Sequence, residues 1–401
     1  MSKGKKTSLI IAIVFIVSGL ALSFTAFAVM GFDFKKFETV KYEMEETKPE
    51  GSFSKISVDS DEDVIFTVSE DGTTRVTYPV YKDAPHDIRV ENDTLKVLVH
   101  KEDWHWTANI FIPHITFSSA KVTIYLPKNV YESLTLETGS GDVVIPENFT
   151  FGDMTIKASS GDVSCKAQVT GVQNIKTTSG NIVDKNTKSE KISLTATSGD
   201  IWLESANVTE TLEVKTSSGD ITLKKVKGGA KFTAEHTSGD LRVEDGEFAD
   251  TVMEATSGDT TLMSINTASL SAKAASGDLW LGTVQATGTT TLKTSSGDIT
   301  VKKATLADTA IEATSGEVYV DDAKAGEFDC QTTSGDIVLK RFDADNMTLK
   351  ASSGDVNVKL LSNKNYTVHT GSGSAHYPES GGNGTCKVTT TSGDVRISVV
   401  N

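Results

Sequence analysis

The chain of 401 residues has only three cysteines, only seven histidines, and 39 basic against 54 acidic side chains. The resulting net charge of −15 speaks against nucleic acid, because phosphate binding needs clustered Lys and Arg, and here the lysines are spread among acids. The histidines fall singly: His86, His100, His105 and His114 early in the chain, then His236, with His369 and His376 on either side of "TGSGSA". No metal-ligand spacing, nucleophile elbow or phosphate loop occurs, so no acid, base and nucleophile gather in one place and an enzyme is not expected. Beyond residue 30 no segment is long and apolar enough to cross a bilayer.

What the chain does have is a repeat, and a fixed period of about 20 to 50 residues points to a stacked architecture. The glycine of a Ser-Gly-Asp motif stands at 141, 161, 180, 199, 219, 239, 258, 277, 297, 316, 335, 354, 373 and 393, fourteen copies at steps of 19 or 20 residues. Serine precedes it in every copy, and aspartate follows except at Asn181, Glu317 and Ser374. Two and four places after the glycine the residues are apolar or aromatic, with Thr260 and Asp184 as exceptions; five places before it all are apolar. Period two on each side, with the parity changing across Ser-Gly, means two short strands around a corner. Glycine suits the corner because it enters backbone regions other residues avoid.

Four or so inward side chains per unit do not make a core, and stacking the units completes it. The pattern predicts an all-β fold: a parallel β-solenoid over 131–401, about fourteen rungs of 19–20 residues and roughly 65 Å long at about 4.8 Å per rung. At the corner, triplets such as Ser218, Gly219 and Asp220, or Ser296, Gly297 and Asp298, read as structural. Serine hydroxyls would bond one another or the turn, and carboxylates would accept backbone N–H groups. Calcium is the rival reading of the Asp column. Calcium-binding β-rolls use a nine-residue period, however, and one carboxylate per rung supplies few of the six to eight oxygens a hard cation takes. An ice-binding face would need an unbroken threonine column, and the one two places before glycine contains Ser159, Ala275 and Gly371. No cofactor is expected.

The ends differ in texture. Lys3, Lys5 and Lys6 precede the uncharged stretch 7–30, which at about 1.5 Å per residue can span a bilayer core of about 30 Å. It predicts one transmembrane helix, with residues 1–6 cytoplasmic and the rest outside the cell membrane. Ala26-Phe27-Ala28 imitates a signal-peptide cleavage site, but the stretch exceeds the apolar region of about 7–15 residues of such signals. Residues 31–50 read as a charged juxtamembrane stalk. Residues 51–130, with alternating runs such as "SKISVDS" and "TLKVLVH", read as an N-terminal β cap or irregular first rungs. The closing "DVRISVVN" would leave the last rung as a bare edge or a contact surface, hence a route to self-association. Trp104, Trp106, Phe111 and Phe117 cluster in 101–119, either in a folded core or as a contact patch for bilayer or partner. Cys165, Cys330 and Cys386 fall in inward columns, the last two three rungs apart and beyond disulfide reach, so all three are expected as buried free thiols.

The segments "FSKISVDSDEDVIFTVS" and "VTIYLPKNVYESLTLETGSGDVVI", together with the Ser-Gly-Asp repeats, resemble the bacterial domain-of-unknown-function family called "putative adhesins", common in Gram-positive bacteria. The resemblance covers roughly 51–401 and carries no catalytic residues. It implies an exported, envelope-associated β-solenoid, and in some members a tie to envelope-stress regulation. The function expected is therefore a non-catalytic adhesion or cell-envelope scaffold that meets the membrane through its N-terminal helix. Its partner would be a cell-wall polymer or an envelope protein. The alternatives are an envelope-stress sensor, then a calcium-binding solenoid, then an enzyme acting on polysaccharide, since some of those also use β-helices.

Overall fold

The computed structural model describes residues 42–400 except 83 and 101–119, together with Ile16, Ser18, Gly19, Phe24 and Thr25. Those five have helical backbone. The rest of the expected membrane helix lies outside the described residues, and among the described residues no helix is long and apolar enough to cross a membrane.

Among the described residues from 42 on, every regular element is a strand, and the repeats form a parallel β-solenoid. The rung 201–219 shows how sequence makes shape. Ile201–Glu204 turns Ile201 and Leu203 inward; past a bend at Ser205, Ala206 and Val208 face in; past a second bend at Thr209 and Glu210, Leu212, Val214 and Thr216 face in before the Ser-Gly corner. Each rung is thus three-sided, with two corners more than the sequence pattern reveals. The first of these sits six places after the glycine, where residues from Asn186 and Ser205 to Asp322 and Arg341 adopt φ of +45 to +60°. That is the left-handed region, which non-glycine residues seldom enter.

Rungs stack in register, for example Ile201 on Ile221, Leu203 on Leu223 and Val214 on Ala234. Each inward column therefore continues along the rod, and the backbone hydrogen bonds of one rung are completed by the next. Aromatic pairs fill the wider places, Phe232 on Phe248 and Phe328 on Phe342, both with ring centroids 4.5 Å apart.

Neither end follows chain order. Strands β1 (Tyr42–Thr47), β2 (Lys55–Ser60), β3 (Asp63–Val68), β4 (Arg75–Tyr81), β5 (His86–Glu91), β6 (Thr94–Val99) and β7 (Lys121–Leu126) precede β8 (Val130–Thr138) and β9 (Val143–Ile145). β2 and β3 form a true rung beneath β8 and β9, and β6 and β7 lie parallel beneath that rung. Antiparallel partners then close the stack, β5 on β6 and β4 on β7, with β1 outermost on β4. The described residues of 51–130 are thus both rungs and cap. The stalk reading of 31–50 is corrected at Tyr42–Thr47, which belongs to the sheet; its Glu43, Glu45 and Glu46 put charge on the outer edge, which discourages further strand pairing.

At the other end the last two copies exchange places. Thr385–Ser392 pairs with Ile337–Ser353 on one side and with Asn365–Ser372 on the other, and Val395–Val399 pairs with Val356–Leu360. Val395–Val399 of "DVRISVVN" is therefore interior, not a bare edge, and the rung holding "TGSGSA" ends the rod. The reason lies in the side chains. Cys386, Val388 and Val395 are buried completely, whereas Tyr366 and Val368 of the end rung are only half-buried. The exchange also puts Cys330 and Cys386 two rungs apart rather than three, since Cys330 pairs with Leu349 and Cys386 with Met347.

Candidate functional site: the corner ladder and the outer faces

Gly219 and Gly297 occupy one column four rungs apart, and the backbone of successive corners touches there. A Cβ on either would overlap the carbonyl oxygen of the glycine in the neighbouring rung, as it would throughout the column except at Gly141, where the oxygen is that of Glu62. Close approach is thus the general reason for glycine. Positive φ is the reason only from Gly239 onward, since the earlier corner glycines lack it.

The aspartates form a directional ladder. Asp240 N–H donates to Asp220 Oδ1 at 2.8 Å, Glu317 N–H to Asp298 Oδ1 at 2.7 Å, and Asp162 N–H to Asp142 Oδ1 at 2.8 Å. Asn181 does the same work with its amide oxygen, accepting from Asp200 N–H at 2.8 Å. The ladder stops at the end rung, where Ser374 donates its N–H to Asp394 Oδ1 and offers no carboxylate onward. The carboxylate half of the corner expectation thus has its partner. The hydroxyl half differs: Ser218 and Ser296 point into solvent, and in that column Ser140 bonds Asp61 O. The inner side of the corner is held by a column that sequence reading passed over, three before the glycine. There Thr177 Oγ1 donates to Gly180 O at 2.6 Å, and His236 Nδ1 takes the same role toward Gly239 O at 2.8 Å. Burial keeps His236 below the usual imidazole range.

The three thiols are buried and free. Burial pushes Cys165 and Cys330 well up and Cys386 up to about 12, so none is a nucleophile. Asp184 lies among them in kind, fully buried and close to Cys165 and Gln173. Neither of its carboxyl oxygens reaches a hydrogen-bond partner. Among the described residues no group of three His, Cys, Asp or Glu is placed to hold a metal ion.

On the face before the corner, positions four and two ahead of the glycine point outward and line a shallow trough of about 550 Å³. One wall is charged and paired between rungs, Lys215 with Glu235 and Lys293 with Glu312; the other carries Thr237, Thr256 and Thr314. Exposed pairs of this kind contribute about 0–1 kcal/mol each. On the next face, three after the glycine, outward Trp202, Trp280 and Tyr319 share a column. Sequence reading followed the inward positions and missed them, although their parity was available. Trp104, Trp106, Phe111 and Phe117 lie outside the described residues.

These features define a β-solenoid repeat protein whose candidate site is a surface repeated over many rungs. The model of the Toastrack family, DUF4097, matches residues 53–241, 205–304 and 287–401. The chain belongs to that family, as the Ser-Gly-Asp pattern led us to expect of a domain of unknown function. No curated protein matches it. Among solved structures it is similar to a "putative adhesin" from Bacteroides fragilis, at 14% identity over 90% of this chain and 97% of that one, with a TM-score of 0.27. It is also similar to a "putative lipid binding protein" from Parabacteroides distasonis, at 12% identity over 89% and 97%, with a TM-score of 0.26.

Proposed function

We propose that the protein is a non-catalytic scaffold of the cell envelope, held in the membrane by residues 7–30 with its solenoid outside the cell, and that it retains a wall polymer or an envelope protein. The observation that carries this reading is the repetition of exposed columns in register from rung to rung. A surface of that kind offers many equal weak contacts, which suit a long partner, whereas catalysis needs one convergent site. The lysines before residue 7 supply the orientation.

Two measurements on cells producing the full chain test it. Protease added to intact cells should release fragments from beyond residue 31, and the full chain should co-sediment with envelope that has been stripped of lipid or of wall in separate arms. Complete protection from protease, or no retention in either arm, rejects the scaffold.

A further inference from the structure

The column three after the glycine runs Trp202, Thr222, Arg242, Thr261, Trp280, Thr300, Tyr319, in unbroken parallel register. These side chains point away from the core. Trp202 is 39% exposed, and Trp280 and Tyr319 are partly exposed. Buried aromatics would be ordinary core; outward aromatics on a solenoid face need another reason.

Trp280 shows what that reason is. Two residues on stands Gly282, and a Cβ there would overlap the far edge of the Trp280 indole. The ring therefore lies down along its strand, covering the glycine and leaving its other face to solvent. Gly282 is not a corner residue and has no positive φ; what distinguishes it is the room it leaves for the ring. The neighbouring aromatics sit among charged groups. Lys340 and Lys302 Nζ are 4.8 and 5.6 Å from the Tyr319 ring centroid, and Lys185 Nζ is 5.8 Å from that of Trp202. Trp202 Nε1–H points to Glu204 Oε2 at 3.4 Å and Tyr319 OH to Asp321 Oδ2 at 3.4 Å.

We propose that this face binds a glycan strand of 1,4-linked β-hexopyranoses lying along the rod, with sugar rings stacked on Trp280, Tyr319 and Trp202. The proposal rests on the scaffold reading and gives its partner a chemical class. A pyranose in this linkage presents a flat face of C–H groups, whose partial positive charge suits the negative face of an aromatic ring. Its hydroxyls lie around the rim; Lys302 and Lys340, which lie over the Tyr319 ring, and Lys185, over the Trp202 ring, swing aside to meet them, while Glu204 and Asp321 accept from them at the ring edges. The spacing agrees as well. Trp280 and Tyr319 are two rungs apart, about 10 Å, and Trp202 and Trp280 four rungs, about 19 Å. Successive sugars of an extended β-1,4 chain advance by nearly one rung, and alternate sugars present the same face, so even-numbered spacings bring equivalent faces to each ring. Trp, Tyr and Arg are also common in protein interfaces; what favours a sugar polymer is the straight single column, in which Thr222, Arg242, Thr261 and Thr300 set the rings at even rung spacings.

The test uses the full-length chain in detergent micelles, titrated calorimetrically with a hexamer of β-1,4-linked N-acetylglucosamine and, separately, with a hexamer of α-1,4-linked glucose, whose chain coils and does not present flat alternate faces. The β-linked hexamer should bind and the α-linked one should not. Trp280→Ala should weaken binding about tenfold, the upper range for loss of one stacked ring, and Gly282→Ala should weaken it by dislodging the ring without removing it. Trp202, Trp280 and Tyr319 replaced together by Ala should abolish it, with circular dichroism unchanged because the rings point outward. Absence of β-hexamer binding in the wild-type protein, or unchanged affinity in the triple variant, overturns the proposal. Envelope co-sedimentation of the same proteins separates the two claims. If the triple variant and the wild type are retained equally, the scaffold stands and the glycan face falls. If the triple variant loses retention while no hexamer binds the wild type, the face docks a protein and the glycan assignment is overturned.

Discussion

Asp184 stands in a column where every other copy has an apolar or aromatic side chain, and it is buried completely without a hydrogen-bond partner on either oxygen. Burial is the largest influence on it and raises its carboxyl to about 7, while the nearby dipoles of Gln173 and the Lys185 amide oppose the rise. An unfolded aspartate ionises near 3.9. Between about pH 4 and 7 the folded chain therefore holds a proton that the unfolded chain has released, and stability falls as pH rises, by about 1.4 kcal/mol per unit at the steepest. The stabilising state is fully present below pH 4 and lost as pH passes 7. Asp184→Asn keeps the shape and removes the ionisation. Denaturant melts of this variant should match wild type only below about pH 4 and exceed it increasingly up to about pH 7; parallel pH profiles for the two would show that the carboxyl is not buried in solution. The exposed aspartates behave differently, because their job is accepting one N–H. Asn181 already does that job. Asp220→Asn should thus change stability by less than about 0.5 kcal/mol, whereas Asp220→Ala, which orphans the Asp240 amide, should cost about 1 kcal/mol.

At the scale of the strand and its corners, Thr283 is the sharpest case. It takes φ +58° at the second corner, exposed, with a β-branched side chain that fits the left-handed region poorly. Thr283→Asn should stabilise by about 0.5–1 kcal/mol, since Asn tolerates that region better, and equilibrium denaturation against wild type measures it; a loss of stability would mean the hydroxyl makes a contact worth more than the strain. This corner also marks the limit of what the sequence disclosed. The Ser-Gly corner was legible because its glycine is required by backbone contact between rungs, and the strands beside it because burial imposes period two. The second corner is filled by Asn, Ser, Lys, Asp, Thr and Arg, residues with nothing in common but a polar side chain, so no column of one residue type announces it. The outward aromatics escaped for a related reason: stacking constrains the inside of the rod and leaves the outside free to vary. The candidate surface is therefore the part of this protein least visible in its repeat.

For the molecule as a whole, the exchanged order of the last two rungs decides how the rod ends. A solenoid with a bare terminal rung exposes both core and unpaired strand edge. At the N-terminal end antiparallel strands, the acidic β1 among them, cover that edge. At the other end the rung 365–376 is laid over the apolar rung 385–399, held by the loop after it. There Asn363 Nδ2–H donates to Glu379 O, and the Ser380 hydroxyl accepts from Tyr366 N–H. Beneath, Lys364 is buried and paired with Asp343 at 2.8 Å. The end rung has lost its ladder aspartate, so Ser374 closes the corner column and offers nothing to a further rung or a second molecule. Excising residues 365–384 brings Gly354 and Gly393 to a 19-residue step, the ordinary period of the repeat. The shortened chain should therefore fold in simple sequence order and finish on the strands that include Cys386, Val388 and Val395. Circular dichroism should remain that of the parent. Sedimentation should show concentration-dependent end-to-end association that the parent lacks, reversed by Val388→Lys on the newly opened rung. A shortened chain that stays monomeric would mean the 385–399 rung protects its own edge, and a chain that fails to fold would mean that the exchanged topology is required by the core and not only by the end.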